Sequence, residues 1–525
     1  MRAAIDEAVE GGHPAAATAR PPGPPVWVAG AAVVAVVAAG VVLRFVQRSP
    51  LWLDEALSAN IARLPVGDLL EALRHDGHPP LYYLLLHGWM KLVGEGDTAV
   101  RALSGILAVA ALPLAWVAGR RLAGASGGRW ALVVTALSPF LVRYATEARM
   151  YSLVTILVLG GYLLLVSTLE HPSRPRLAGL ALVSGLLLLS HYWSFYLVAA
   201  TGLVLAVRAW RRPAERPASV RALVALAAGG ALFLPWLGGF LYQAAHTGTP
   251  WGRPFRPTAI VQTTLEDMGG GTMTEAGLYG SVVLALALLA LFAARSSGHE
   301  VVLDLRTAPT VRGELAVVAL VLGIGAVAGY LTSATFQSRY AAVVVPLLLL
   351  AVAVGITRLP GPARPVAGAA YVALALLGLV WVNHYQRTQS AEVAAAVAER
   401  ASAGDVVVYC PDQLGPAYSR EISRAMPRGL VHLGYPTLAG PELVDWVDYE
   451  ERNAAADVGA IADEVRERAG SGAIFLVWMG DYRTFGRQCE ELIAALGLHQ
   501  QLVTPDSERF YEPAALHWSP AAGGG

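Results

Sequence analysis

Long apolar stretches recur from residue 26 to residue 382, and they constrain the fold more than any other feature of the chain. The first, at 26–43, has 18 uncharged residues, enough to cross a bilayer as a helix. The other candidate spans are 99–118, 130–143, 150–168, 177–190, 192–208, 221–240, 277–294, 314–331, 339–357 and 365–382. The chain is 55% hydrophobic and 15% charged, whereas an average soluble protein has about 25% charged residues. These features predict an all-α polytopic membrane protein with about eleven transmembrane helices.

The first apolar stretch has an alternative interpretation as a cleavable signal peptide. The apolar core of such a peptide would be shorter, and a small-residue cleavage site would follow it. Here the segment LRFVQRSP follows instead. We therefore expect a retained span, preceded by a disordered cytoplasmic tail at residues 1–25, which are rich in Ala, Pro and Gly.

The distribution of arginine predicts the topology of the spans. A shorter apolar stretch at 79–93 is interpreted as interfacial or re-entrant, because it is too short to span. With 79–93 on the outer side and the N-terminus in the cytoplasm, nearly every arginine-rich loop, such as 119–129 and 208–221, lies in the cytoplasm, as the positive-inside rule requires. The prediction is a cell-membrane protein whose C-terminal region is extracytoplasmic.

The C-terminal region differs in composition from the membrane region, which we place at 26–385. Residues 391–525 contain 10 Arg and 20 Asp+Glu. Buried-strand patterns at 405–410 and 474–480 alternate with helical patterns, which predicts a small α/β domain over 391–515 and a disordered tail at 516–525. No glycine-rich phosphate loop follows either strand, and no dense Lys/Arg stripe occurs, so neither a nucleotide nor a nucleic-acid partner is expected.

Both cysteines of the chain, Cys410 and Cys489, lie in this C-terminal domain without CxxC spacing. A zinc site is therefore not expected. An extracytoplasmic location would allow a disulfide bond. Two separate buried thiols are the interpretation we favour from sequence.

Polar chemistry concentrates in the loops that this topology sends outward. Asp54 and Glu55 follow the first span, and adjacent carboxylates can provide a general base or metal ligands. The alternative is that Asp54 caps a helix starting at Glu55. His78 precedes two prolines and could orient a carboxylate or a phosphate, whereas the nearby Asp76 is interpreted as a solvated loop residue.

Four further outward segments carry candidate substrate-binding residues. They are Arg101 at the start of the second span; Glu147, Arg149 and Tyr151 in RYATEARMY; His191 and Tyr192 in SHYWSFY; and Arg339 and Tyr340 in FQSRY. Each has a structural alternative: a snorkelling arginine at the interface, a helical ion pair between Arg143 and Glu147, or an aromatic belt at the headgroup level. Together, carboxylates, imidazoles and guanidinium groups at one membrane face suit the headgroup of a phosphate-bearing lipid.

Four of these motifs carry a resemblance to a known family. They are Asp54-Glu55 after the first span, His78-Pro79-Pro80 before a short helix, Arg101 at the next span, and Arg339-Tyr340 late in the chain. With these motifs, residues 26–385 resemble the GT-C glycosyltransferases, in particular the protein O-mannosyltransferase and lipid A aminoarabinose transferase type.

The resemblance implies an enzyme that moves a sugar, with mannose as one candidate, from a polyprenyl-phosphate donor to an extracytoplasmic hydroxyl with inversion. Asp54 would be the base, and Arg339 with Arg101 or Arg149 would stabilise the departing phosphate. Glu55, His78 and Glu147 would hold the site. The C-terminal domain does not resemble the accessory domains of protein O-mannosyltransferases, which leaves a lipid, glycan or protein acceptor open.

No cofactor is certain at this level. If a metal is used, Asp54, Glu55 and Glu147 offer only oxygen ligands, which suit Mg²⁺ or Mn²⁺. The alternative function is a polytopic transporter or lipid flippase. It predicts ionisable groups near span centres, and the candidate spans contain almost none.

Overall fold

The computed structural model describes residues 26–248, 256–271, 274–297, 299–332, 336–361, 363–426, 429–480 and 482–521. The predicted cytoplasmic tail at 1–25 lies outside the described residues. A helical membrane region is followed by a smaller C-terminal domain that contains a β-sheet.

Helices make up nearly all of the described membrane region. They are α1 (Val26–Leu43), α2 (Leu53–Arg63), α3 (Val66–Asp76), α4 (Leu81–Val93), α5 (Asp97–Leu137), α6 (Pro139–Ala145), α7 (Tyr151–Glu170), α8 (Arg174–Leu188), α9 (Ser194–Arg211), α10 (Arg216–Gly229), α11 (Leu237–His246), α12 (Pro257–Met268), α13 (Thr274–Phe292), α14 (Pro309–Thr332), α15 (Val345–Arg358) and α16 (Ala363–His384). A hairpin of β1 (Ala293–Ser297) and β2 (Glu300–Leu303) connects α13 to α14.

Six helical segments among the described residues are long and apolar enough to cross a membrane, by length and composition. They are 97–137, 151–170, 213–246, 275–292, 309–331 and 363–384. Shorter apolar helices occur at Gly30–Leu43 and Val345–Arg358. The chain is thus a multi-pass membrane protein, whereas the number eleven stays a prediction. One reason for the difference is that α5 runs for 41 residues through the second predicted span and much of the third, with a break at Ala123 and Gly124.

Close helix packing holds the membrane region together. Helix α15 packs against both α5 and α13 and is buried from Val345 to Ile356. Gly355 is needed at the second contact, because a Cβ atom there would lie 2.0 Å from the backbone oxygen of Leu286 in α13. The absence of a side chain therefore lets the two helices approach.

Short helices, rather than a span, connect α1 to α5. Helices α2, α3 and α4 have 11, 11 and 13 residues, and α4 corresponds to the apolar stretch predicted not to span. Helix α2 is buried from Glu55 to Ala62 because it packs against α4 and against the C-terminal domain. This position brings the N-terminus of α2 to the junction of the two parts of the molecule.

The C-terminal domain combines helices with a five-stranded mixed sheet. Its elements are β3 (Gln386–Thr388), α17 (Ser390–Ala398), β4 (Val406–Cys410), α18 (Gly415–Ala425), β5 (Val431–Gly434), α19 (Tyr449–Ala454), α20 (Val458–Ala469), β6 (Ile474–Trp478), α21 (Gln488–Leu496), β7 (Gln500–Val503), β8 (Phe510–Glu512) and β9 (Ala515–Ser519). The strand order is β5-β4-β6-β9-β7, and β3 pairs separately with β8. Strand β4 is parallel to β5 and β6, whereas β9 is antiparallel to β6 and β7.

Two sequence predictions for this domain are wrong. The tail predicted at 516–525 begins inside β9, an internal strand of the sheet whose first residues, Ala515 and Leu516, are fully buried. Cys410 and Cys489 form a disulfide bond instead of remaining separate thiols. They are 79 residues apart in sequence, and the bond joins the end of β4 to α21, a proximity that their spacing alone could not reveal.

Candidate active site

A cavity of about 290 Å³ lies between the loops that follow the first span and the C-terminal domain. Its lining comes from both parts of the molecule: Trp52, Leu53, Asp54, Leu57, Asp76, His78, Arg149, Gln337, Arg339 and Tyr340 from the membrane region, and Gln413, Leu414, Trp446, Met479, Tyr482, Tyr511 and Glu512 from the C-terminal domain. The structure thus brings five predicted site residues from distant segments into one cavity: Asp54, His78, Arg149, Arg339 and Tyr340.

The Asp54 carboxylate lies between two guanidinium groups in this cavity. Its Oδ2 atom is 3.1 Å from Nη1 of Arg339 and 3.8 Å from Nη2 of Arg149. Helix α2 already begins at Leu53, and the residue before it, Trp52, makes no side-chain cap, so the capping alternative for Asp54 is wrong. The Trp52 ring lies 5.8 Å from the Arg339 guanidinium carbon, within the range of a cation–π contact.

Arg149 is held by a network of neutral acceptors. Its Nη1 atom donates to the hydroxyls of Ser58 and Tyr83, both at 3.1 Å, and its Nη2 atom lies 2.8 Å from Nε2 of His78. Because a guanidinium only donates, Nε2 of His78 must accept, which leaves Nδ1 to donate to Asp76 Oδ2 at 2.8 Å. His78 therefore acts here as a neutral bridge that fixes the orientation of Arg149.

Asp76 is a site residue that the sequence interpretation missed. It was expected to be a solvated loop residue, but it is 6% exposed and also accepts a hydrogen bond from Tyr83 at 2.9 Å. Burial raises the pKa of the Asp76 carboxyl, but His78, Arg149 and Tyr83 together outweigh burial and hold that pKa below its ordinary value. Asp76 is therefore an anion that anchors His78.

Glu55 lies behind the cavity in a buried ion cluster. Arg101 donates to both of its oxygens, at 2.7 and 2.6 Å, and Nη1 of Arg387 is 3.3 Å away. The backbone N–H of Ala148 donates to the same carboxylate at 3.0 Å. Burial raises the pKa of Glu55, but the two arginines outweigh it and the pKa lies below its ordinary value. Neither Glu55 nor Arg101 lines the cavity, so both stabilise the structure behind Asp54.

Glu147 also lies behind Asp54, in a separate small cavity with Trp52 and Arg387. The predicted helical pair between Arg143 and Glu147 is wrong, because α6 ends at Ala145 and Arg143 instead contacts Asp267 at 3.1 Å. Burial raises the pKa of Glu147, and the opposing charge of Arg387 does not outweigh burial. Glu147 does not line the main cavity.

Three of the four aromatic candidates, Tyr151, His191 and Tyr340, cluster at one edge of the cavity. The His191 ring lies 5.8 Å from the Tyr340 ring and 6.0 Å from the Tyr151 ring. Of the three, only Tyr340 lines the cavity. Tyr192 faces elsewhere, because its hydroxyl donates to Gln243 and accepts from Nε1 of Trp236.

The residues proposed from sequence as metal ligands do not fit a metal site. Both oxygens of Glu55 contact arginine, Glu147 lies in the neighbouring cavity, and the charged neighbours of Asp54 are the cations Arg149 and Arg339. Across the part of the chain that the structure describes, no group of three His, Cys, Asp or Glu side chains is placed to hold a metal ion. We derive no step through a metal.

The side chains supplied by the C-terminal domain were not predicted from sequence. They lie on loops and strand ends more than 350 residues after Asp54, and no local pattern marks them. The available signal was the predicted extracytoplasmic location of the domain, which places it on the same side as Asp54. Sequence alone gave no basis for choosing individual residues from it.

Comparisons with known proteins agree with this architecture. Residues 77–238 match the family model described as "Dolichyl-phosphate-mannose-protein mannosyltransferase". The structure is similar to that of ArnT from Cupriavidus metallidurans bound to undecaprenyl phosphate, with 14% identity, a TM-score of 0.55, and coverage of 94% of this chain and 98% of that one. The apo state of the same protein gives 13% identity and a TM-score of 0.57 over the same shares. No curated protein matches the sequence.

The fold, the cavity and the family match define a membrane glycosyltransferase. The fold is similar to that of ArnT, and residues 77–238 are similar to the protein mannosyltransferases. Both similarities favour an enzyme over the transporter or flippase alternative.

Proposed function

We propose that this enzyme transfers a sugar from a polyprenyl-phosphate donor to an acceptor hydroxyl, with inversion at the anomeric carbon and on the extracytoplasmic side of the membrane. One observation carries the proposal: the Asp54 carboxylate, Arg149 and Arg339 share a single cavity at the edge of the membrane region. The family description names a phosphate-linked sugar donor, and the ArnT structure was solved with undecaprenyl phosphate, which supports this donor class.

Donor binding follows from the charges around Asp54. Arg339 contacts Asp54, and a lipid phosphate offers the guanidinium group a stronger anionic partner. Arg149, already oriented by His78, is the second phosphate contact. When both arginines bind the phosphate, the Asp54 carboxylate is released from its cation partners and becomes available as a base.

Transfer then needs a single displacement. The acceptor hydroxyl attacks the anomeric carbon while its proton passes to Asp54, and the bond from that carbon to the phosphate oxygen breaks. The electron pair leaves with the phosphate, where Arg339 and Arg149 stabilise the developing charge. One carboxylate is sufficient for this displacement, and attack opposite the leaving group inverts the configuration.

Replacement of Asp54 by Asn tests the proposal. Asn keeps the size of the side chain but cannot accept the proton, so we expect turnover to fall by about 10²–10⁴-fold. The assay measures release of polyprenyl phosphate by the purified full-length protein in lipid nanodiscs, with mannosyl and arabinosyl polyprenyl phosphates and a panel of acceptors. Asp68→Asn is the matched control, because Asp68 is an exposed carboxylate on the neighbouring helix α3.

Two results would contradict the proposal. One is equal turnover by the wild type and Asp54→Asn, because no base role would then remain for this carboxylate. The other is failure of the wild type to bind polyprenyl phosphate or to release it from any donor in the panel.

A further inference from the structure

The two walls of the cavity differ in charge. The wall from the membrane region carries Arg149 and Arg339. The wall from the C-terminal domain carries no cation among the residues that the structure describes. Its members are Gln413, Leu414, Trp446, Met479, Tyr482, Tyr511 and Glu512. A phosphate binds where the arginines are, so the second wall faces whatever neutral group is attached to the phosphate or approaches it.

Glu512 is the most unusual member of the second wall. It ends strand β8, which is held against β3 in parallel pairing with Thr388 opposite Glu512. The side chain is 7% exposed, and its Oε2 atom has no hydrogen-bond partner although it is buried. A buried acceptor without a partner is energetically unfavourable, and a ligand hydroxyl in the cavity would provide that partner.

The backbone around Glu512 fixes its position independently of any ligand. The Tyr418 hydroxyl donates to the Glu512 carbonyl oxygen at 2.9 Å, and the backbone N–H of Gln389 donates to the same oxygen at 3.2 Å. The carboxyl group itself lies beside the Thr388 hydroxyl and the Leu53 backbone amide, one residue before Asp54. Glu512 is therefore rigidly placed next to the proposed base.

The remaining wall residues suit a carbohydrate. Trp446, Tyr482 and Tyr511 supply aromatic surface, and Gln413 supplies an amide whose Nε2 atom donates to the Tyr449 hydroxyl at 3.2 Å. Gln413 also donates to the Tyr482 hydroxyl, which leaves the Tyr482 proton available to a ligand. Aromatic faces beside fixed hydroxyl, amide and carboxyl groups match the apolar face and the hydroxyls of a sugar ring.

We propose that the C-terminal domain provides a sugar-binding subsite in which Glu512 hydrogen-bonds a hydroxyl of a neutral sugar ring. The inference rests on the proposed function and adds the chemistry that the second wall recognises. The ring belongs either to the donor or to a glycan acceptor, and the binding measurements below separate these two sources.

The protonation state of Glu512 is consistent with this role. Burial raises the pKa of Glu512 to about 8, and the nearby Asp54 charge raises it in the same direction. A carboxyl group that is protonated at neutral pH both donates and accepts hydrogen bonds. It also does not compete with Asp54 as an anion for the phosphate-binding arginines.

The test compares ligand affinities of Asp54→Asn, in which turnover is expected to be slow, with those of Asp54→Asn/Glu512→Ala. The probes are undecaprenyl phosphate, its mannosyl and arabinosyl conjugates, and free disaccharides of mannose and of arabinose. Calorimetry on the full-length protein in nanodiscs measures the affinity for each probe. We expect Glu512→Ala to leave the affinity for undecaprenyl phosphate unchanged. The same change should lower the affinity for a sugar-bearing ligand by about tenfold, which corresponds to the loss of about one hydrogen bond. Lower affinity for the conjugates alone indicates that the subsite binds the donor sugar. Lower affinity for the disaccharides alone indicates that it binds the acceptor.

Two controls separate a binding role from a structural one. Glu512→Gln keeps hydrogen-bonding capacity and is expected to retain most of the affinity, whereas Glu508→Ala removes an exposed carboxylate from the turn before β8 and should change nothing. Equal affinities of Glu512→Ala and its parent for every sugar-bearing ligand would overturn the inference. An equal loss of affinity for undecaprenyl phosphate and for the sugar-bearing ligands would also overturn it. Failure of the parent to bind undecaprenyl phosphate would instead count against the proposed function.

Discussion

Two adjacent carboxylates, Asp54 and Glu55, have opposite environments at the start of α2. Asp54 faces the cavity, whereas Glu55 is fully buried and contacts Arg101 and Arg387. Successive residues of a helix are rotated by about 100°, so one of the pair can face a substrate while the other faces the protein interior. The two carboxylates can therefore have separable functions, the proposed chemical one for Asp54 and a structural one for Glu55.

Replacement of Glu55 by Gln is expected to destabilise the protein, because it leaves the Arg101 and Arg387 charges buried without their anion. Removing one partner of a buried ion pair costs about 3–5 kcal/mol. Thermal unfolding of the purified protein measures this loss, and Asp68→Asn is the matched control that should unfold near the wild-type temperature, because it removes an exposed carboxylate of α3. Similar unfolding temperatures for Glu55→Gln and the wild type would contradict the structural role.

The sequence predicted the residues of the cavity better than their environments. Asp54, His78, Arg149 and Arg339 were identified because each belongs to a polar motif in an outward loop. The burial of Glu55 was not predictable, because its partner Arg387 comes from the far side of the membrane region in sequence. Local patterns identify reactive side chains, but pairing between distant segments decides which of them face a ligand.

At the scale of elements, the β-strands of the C-terminal domain divide into those the sequence could predict and those it could not. Strands β4 and β6 are continuous apolar runs buried on both faces, and such runs are readable from sequence. Strand β9 has only five residues, includes His517 and Ser519, and is followed by proline. Its location in the sheet depends on pairing with β6 and β7, which no local pattern encodes.

The turn after strand β4 is expected to make stability depend on pH. Asp412 begins this turn, accepts a hydrogen bond from Tyr449 at 2.5 Å, and is 9% exposed; burial raises its pKa from 3.8 to about 7. The folded carboxyl therefore stays protonated where the unfolded one ionises. The stabilisation is complete below pH 4 and is lost as pH rises to 7, by about 1.4 kcal/mol for each unit of pKa difference.

The measurement for this turn is thermal unfolding at pH 5 and pH 8. The wild type should lose more stability over this interval than Asp412→Asn, which cannot ionise at this position. The variant can lose part of the hydrogen bond with Tyr449, but that loss is the same at both pH values, so the difference between them isolates the titration. Parallel losses in the two proteins would contradict the assignment.

The whole molecule depends on docking of the C-terminal domain onto the membrane region, because the cavity has one wall from each. Asn60 donates to the Glu442 carbonyl oxygen at 2.8 Å, and the Trp446 amide donates to the His75 carbonyl oxygen at 3.1 Å. Arg387 donates to the Thr146 carbonyl oxygen at 2.8 Å. These contacts join the two parts that line the cavity, so relative movement of the two parts would separate Asp54 from the second wall.

Asp97 offers a way to loosen this docking without touching the cavity. It lies in the first turn of α5 and contacts Arg420 and Arg424 of α18, at 3.0 and 2.6 Å. Because the Arg424 side chain is 43% exposed and solvent screens it, most of the docking energy is attributed to Arg420, which is 10% exposed. A charged hydrogen bond of this kind contributes about 1.5–3 kcal/mol.

We expect Asp97→Ala to lower turnover several-fold and to increase hydrogen exchange in α18 and α2, because the two walls are then held together less tightly. Asp463→Ala is the matched control, since it removes an exposed ion pair with Arg466 inside the C-terminal domain and leaves the docking contacts intact. Affinity for undecaprenyl phosphate should be nearly unchanged in both variants, because Arg149 and Arg339 belong to the membrane region. Unchanged exchange and turnover in Asp97→Ala would mean that the remaining contacts suffice to hold the cavity closed, and that the interface is not set by this ion cluster.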